Sequence, residues 1–144
     1  MDRRDKFKAR KAGSLKRASK NLPDFKRERE KYIVFSFKDF DHNQGQGFEE
    51  WQEEKLLALA MDKLSQISNL TMSQAQSQQI IKIYTKVEFP PKTDFTYPKH
   101  VKEGAMWASF HVQGKECIIG HVEENVFNVV FLDKDHQFWK TSKK

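Results

Sequence analysis

The segment DKDHQFWK, residues 133–140, puts an imidazole, two lysine ammonium groups and two aromatic rings into one short run near the end of the chain. Histidine titrates near neutrality and can move a proton, lysine can hold a phosphate, and an aromatic ring can stack on a base. Attack of a ribose 2′-hydroxyl on the adjacent phosphate needs that set of functions and no metal. His136 is therefore a candidate acid or base, Lys134 a candidate phosphate holder and Trp139 a candidate base-stacking ring. The same residues also suit a plainer role. DKDH is an ordinary turn composition, and Phe138 with Trp139 can close a sheet as a last strand.

Other chemistries find less support. The loop DFDHNQGQGFEE has oxygens at alternate positions, as a calcium loop requires. Counting from Asp39 gives Asp39, Asp41, Asn43 and Glu50, but Gln44 stands where the turn needs glycine; counting from Asp41 leaves Gln46 and Gln52 at the two critical places. The five histidines show no HxxxH or HExxH spacing, and with one cysteine there is no zinc pattern, so no metal and no cofactor are expected. Cys117 reads as a core residue of a strand and His121 as a core histidine satisfied by a neighbour. In a flipped register, His121 would instead line a groove with His111. There is no phosphate-binding glycine loop and no GxSxG elbow, which removes nucleotide hydrolysis and serine hydrolysis.

Charge is divided unevenly along the 144 residues. The net +6 conceals a first segment, residues 1–31, with 13 Lys and Arg against 5 Asp and Glu, and a remainder with 13 against 15. Residues 1–31 are predicted to be a basic, mobile arm and residues 32–144 a single domain. The arm points to a polyanion, nucleic acid first, contacted by Arg3, Arg4, Lys6, Lys8, Arg10, Lys11, Lys16, Arg17 and Lys20. The basic start leads into RASKNLPDF rather than an apolar signal region, and no 18-residue apolar run exists. A soluble, cytoplasmic protein with no membrane partner is expected.

The elements that must position these residues follow from periodicity. YIVFSF, residues 32–37, is a short buried strand. Apolar spacing from Trp51 to Ile67, with Glu49, Glu50, Glu53 and Glu54 in the first turns, predicts one helix over 48–68. Thr71 and Gln74 form a capping box that starts a second helix running to about residue 85, so the two helices make a hairpin. Pro90 and Pro91 begin a loop over 89–102. Three antiparallel strands follow, at 105–112, 115–122 and 126–132.

With a two-residue turn at Gln113-Gly114, Phe110 faces Cys117, Ala108 faces Ile119 and Met106 faces His121. A two-residue turn at Glu124-Asn125 sets His121 opposite Asn128, Ile119 opposite Val130 and Cys117 opposite Leu132, whereas a three-residue turn at Glu123 to Asn125 would flip the last strand. That face meets the helices. The other face, with Trp107, Ser109, His111, Glu116, Ile118, Phe127, Val129 and Phe131, is too apolar to be left wholly in water and suits a dimer or antitoxin interface. The fold class is α+β, a two-layer sandwich of an N-terminal strand, a helical hairpin and a three-stranded antiparallel meander.

The succession YIVFSF, two helices, then WASFHVQGKECIIGHVEENVFNVVFLDKDHQFW, over residues 32–139, resembles the RelE/ParE toxin superfamily, small basic bacterial proteins of toxin–antitoxin systems. The likeness lies in the order of elements and in a last strand ending in a His-and-aromatic tail. It implies a curved RelE-like sheet with a helical hairpin on one side, and ribosome-bound mRNA and an antitoxin protein as partners. It places His136 and Trp139 in the region of the ribonuclease chemistry and adds Lys115 as a basic candidate on the middle strand. The chain departs from the family in having no arginine after Arg29 and a long 89–102 loop. Arginine binds phosphate bidentately and lysine replaces only its charge, so both departures bear on catalysis more than on fold. The reading that results is an RNA-interacting, toxin-type protein acting as a metal-independent endoribonuclease. Its rival is a non-catalytic accessory protein of a mobile element or phage, which binds nucleic acid and docks a protein partner.

Overall fold

The computed structural model describes residues 32–85 and 89–140. The basic arm predicted at 1–31 lies outside the described residues. Those described run β1 (Val34–Ser36), α1 (Phe48–Glu53), α2 (Leu57–Ile67), α3 (Met72–Ser77), β2 (Lys82–Ile83), β3 (Trp107–His111), β4 (Cys117–Glu123) and β5 (Val126–Asp133). The class is α+β, as the succession of patterns implies. The strands form one five-stranded sheet in the order β1-β5-β4-β3-β2, with β1 parallel to β5 and the other pairs antiparallel. The predicted meander is its centre, and β1 and β2 extend it on either side.

The long helix predicted over 48–68 is two helices. Lys55 takes a left-handed backbone, φ 63°. The Leu56 amide then bonds back to the Trp51 carbonyl at 2.8 Å and the Lys55 amide to the Gln52 carbonyl at 3.0 Å. That pair of bonds closes a helix end and turns the chain. The second predicted helix stops early in the same way. Gln79 sits at φ 62°, and the Ile80 amide bonds the Ala75 carbonyl at 2.8 Å. The chain past Gln79 is thereby released from the helix, and Lys82–Ile83 pairs with β3 instead. The start of α3 is the predicted capping box: Gln74 N–H donates to Thr71 Oγ1 at 3.1 Å and Thr71 N–H to Gln74 Oε1 at 2.9 Å.

The register of the meander differs from expectation by one residue on one side. Glu123 pairs Val126 and His121 pairs Asn128, so the Glu124-Asn125 turn has two residues as predicted. Between β3 and β4, however, His111 pairs Cys117 and the Val112 amide bonds the Glu116 carbonyl at 2.8 Å, which leaves three residues, 113–115, in the turn. Neither Gln113 nor Gly114 adopts the positive φ that a two-residue hairpin turn demands. The one-residue slip turns every β4 side chain to the opposite face. β5 turns with β4 because their register is as expected, so Ile118 and Val122, and against expectation Phe127 and Val129, join Ala108, Phe110 and Leu132 against the helices, while Cys117, Ile119 and Val130 lie on the far side with Trp107.

A second irregularity, at Ile119/Gly120, breaks the β4–β5 ladder. Gly120 pairs Val129 and Ile119 pairs Phe131, so Val130 is the extra residue of a bulge. A Cβ on Gly120 would stand 2.0 Å from the Asn128 carbonyl oxygen, so only glycine fits. The predicted pairs Ile119–Val130 and Cys117–Leu132 are lost to this bulge. Cys117 instead pairs Asp133.

The predicted two layers are also incomplete. The sheet's second face is covered by the chain itself, because Phe89, Phe95, Val101 and Ala105 from the long loop and Phe138 from the tail pack on Trp107, Ile119, Val130 and Phe131. That face is therefore an interior surface rather than a docking face. No helix among the described residues is long and apolar enough to cross a membrane.

Candidate functional site

Three adjacent strands set His111, Cys117 and Asp133 side by side, since His111 pairs Cys117 and Cys117 pairs Asp133. The turn after β5 then folds His136 back over this row. Asp133 shapes that turn: its carboxylate is 1 % exposed and accepts the Gln137 amide at 2.9 Å and the Phe138 amide at 2.8 Å. The turn leaves His136 at φ 60°, a left-handed conformation in which histidine is several-fold enriched over most side chains. The His111 and His136 rings stack at 5.5 Å and 25°.

His111 is further oriented by its own hairpin. Its Nδ1 lies 2.8 Å from the Gly114 carbonyl oxygen. A carbonyl can only accept, so Nδ1 carries the proton of that bond and Nε2 is left with its lone pair. Cys117 Sγ stands 3.5 Å from Nδ1 and 3.9 Å from Nε2 of that ring. Burial pushes the Cys117 thiol up to about 12, with the nearby Asp133 and Glu116 carboxylates adding to the effect. As a lone group it is an inert thiol, in keeping with the core residue expected of it.

His111 and His136 line a groove of about 600 Å³ at the β2 edge of the sheet, together with Lys82, Tyr84, Ser109 and Trp139. Trp139 stacks on Tyr84 at 4.7 Å and 10°. The Lys82 ammonium lies 5.3 Å from the Tyr84 ring centre and 5.4 Å from that of Trp139. The Tyr84 hydroxyl is fixed by Ser109 at 2.8 Å, and burial raises its pKa, although the Ser109 bond opposes the shift. β2 and the residue after it thus deliver a cation and an aromatic platform to one side of the groove, facing the two imidazoles.

The predicted site residues are only partly brought together. His136 and Trp139 both line the groove. Lys115 is in the 113–115 turn rather than on the middle strand, and its ammonium is 4.0 Å from Asp135. Lys134 is turned to the helices, where Glu54 and Glu50 hold its ammonium at 2.5 and 2.9 Å and raise its pKa. Its amide also donates to Gln46 Oε1 at 2.7 Å. The nine arm residues lie outside the described residues.

His121, as expected, pairs Asn128, but on the loop-covered face. It is buried, and its Nε2 meets Asp39 Oδ2 at 2.9 Å rather than a groove. The oxygens of the calcium-loop pattern diverge. Asp39 turns to His121, Asp41 accepts from the Asn43 amide and the Gln44 side chain, and Glu50 pairs Lys134.

Lys82, Tyr84 and His111 were not among the predicted site residues. Lys82 and Tyr84 lay inside the second predicted helix, and the two-residue turn put His111 and Cys117 on opposite faces. The closeness of the His111, Cys117 and His136 ligand atoms, all within 4.8 Å of one another, has no signature in spacing along the chain. Comparison of the chain with known protein families, curated proteins and solved structures gives no match.

Proposed function

We propose that the protein binds single-stranded RNA, with one nucleotide seated in the groove between the Tyr84–Trp139 stack and the His111–His136 pair. The observation that carries this reading is the Lys82 ammonium lying over two parallel aromatic rings at an open groove. A flat ring takes a base by stacking, and the neighbouring cation suits its phosphate; this pairing is sequence-tolerant and selects unpaired strands. The 13 basic residues in the first 31 positions add the long-range, salt-sensitive attraction that a body with a small negative balance lacks. Binding, more than cleavage, is what the geometry favours, because Lys134 is already committed to two glutamates and Lys115 faces Asp135.

The test is the affinity of the full chain for a short single-stranded RNA, read by fluorescence anisotropy. Trp139→Ala should weaken binding about tenfold, in line with one lost base stack of about 1–3 kcal/mol. Removing residues 1–31 should weaken it further and flatten its salt dependence. Wild-type affinity in both Trp139→Ala and Lys82→Ala would exclude the groove as the site.

A further inference from the structure

We propose that His111, Cys117 and His136 form a binding site for a zinc-class divalent metal ion, with the remaining coordination position open to the groove. The inference is independent of RNA binding and is read without RNA.

Three residues of the right chemistry converge from three separate elements: the end of β3, the start of β4 and the turn after β5. One ligand atom from each lies within 4.8 Å of the other two. Tetrahedral zinc, with Zn–S of about 2.3 Å and Zn–N of about 2.0 Å, sets sulfur and nitrogen ligands about 3.5 Å apart. Cys117 Sγ lies 3.5 Å from His111 Nδ1 and 3.9 Å from its Nε2, both close to that spacing. Two imidazoles and one thiolate make a borderline-soft set, which suits zinc and its neighbours and not calcium or magnesium.

The surroundings are those of a metal-ligating histidine. The Gly114 carbonyl accepts from His111 Nδ1–H and holds the ring beside the thiol, with Nδ1 3.5 Å and Nε2 3.9 Å from the sulfur; a backbone bond of this kind orients metal-ligating imidazoles. Asp133 acts on the backbone around His136 rather than on its ring. It ties down two amides of the turn and so holds the histidine in its left-handed conformation. Cys117 is buried beneath the two histidines, while His111 and His136 reach the groove. A bound ion would therefore be closed on the sulfur side and open on the groove side, as metal sites that keep an exchangeable position are.

The test is titration of the untagged, reduced full chain with Co²⁺ as an optical probe for zinc, followed by displacement with Zn²⁺. The expected result is one ion per chain, a thiolate-to-metal charge-transfer band in the near ultraviolet, and loss of that band on adding Zn²⁺. Cys117→Ser should abolish the band. His136→Asn, which retains a residue suited to the left-handed turn, should weaken affinity at least tenfold with unchanged circular dichroism. Because Cys117 is in the core, where a substitution also tests folding, the His136 variant in the turn decides the matter alone. No charge-transfer band in the folded wild type, or unchanged affinity in folded His136→Asn, would overturn the proposal.

Discussion

Asp39 and His121 are 82 positions apart, yet their side chains meet at 2.9 Å beside the sheet's covered face. Burial alone would raise the Asp39 carboxyl, but the bonds from His121 and Lys38 outweigh it and hold it below the ordinary 3.8. The sign of the linkage follows. A carboxyl with a depressed folded value contributes stability that is fully present above its unfolded value and is lost as pH falls through the folded one. Asp39→Asn removes that contribution at all pH values. The acid limb of the urea-midpoint profile, from about pH 5 downwards, should therefore be shallower in Asp39→Asn than in the wild type. Parallel limbs in the two proteins would show that Asp39 is not a source of acid sensitivity.

The helix ends show why element boundaries were hard to read from residues. A helix usually terminates on a glycine, which takes positive φ without penalty. Here Lys55 and Gln79 do that work, both good helix formers inside an unbroken apolar pattern. Nothing local marks either stop. What selects them is the burial of Trp51 and Leu56 on one side, and of Ala75 and Ile81 on the other, in the core under the sheet. The conformation still costs a non-glycine residue about 1 kcal/mol. Lys55→Gly, at an exposed position, should therefore stabilise the protein by up to about 0.5 kcal/mol in urea unfolding, once the greater freedom of glycine in the unfolded chain is subtracted. Destabilisation would mean that the Lys55 side chain contributes more than its backbone costs.

At the scale of the whole molecule the sheet is buried on both faces, with helices on one and the long loop and tail on the other. Phe138 holds the second layer closed. It is 0 % exposed, and its ring meets those of Tyr84, Phe89, Phe95, Trp107 and Phe131. Phe138→Ala should cost about 3–5 kcal/mol, the range for emptying a well-packed aromatic site. Because Phe138 is also the anchor of the turn that carries His136, the same variant should weaken RNA binding. A loss under about 1 kcal/mol would show that this layer does not unfold cooperatively with the sheet.

The residues alone were enough for the α+β class, the capping box at Thr71, the tight turn at Glu124-Asn125, the pairing of His121 with Asn128 and the three central strands. Each depends on a local pattern: period-two alternation, a cap three residues from its partner, or a two-residue turn. The groove depends on none of these. It required the second helix to stop at Ser77, so that Lys82 and Tyr84 could reach the sheet, and a third residue in the 113–115 turn, so that Cys117 came round to the face of His111. A strand places its side chains with a period of two, so one residue of slip decides the face of all of them. That slip was settled by which apolar set the helices and the covering loop could bury, a choice made between segments far apart in the chain.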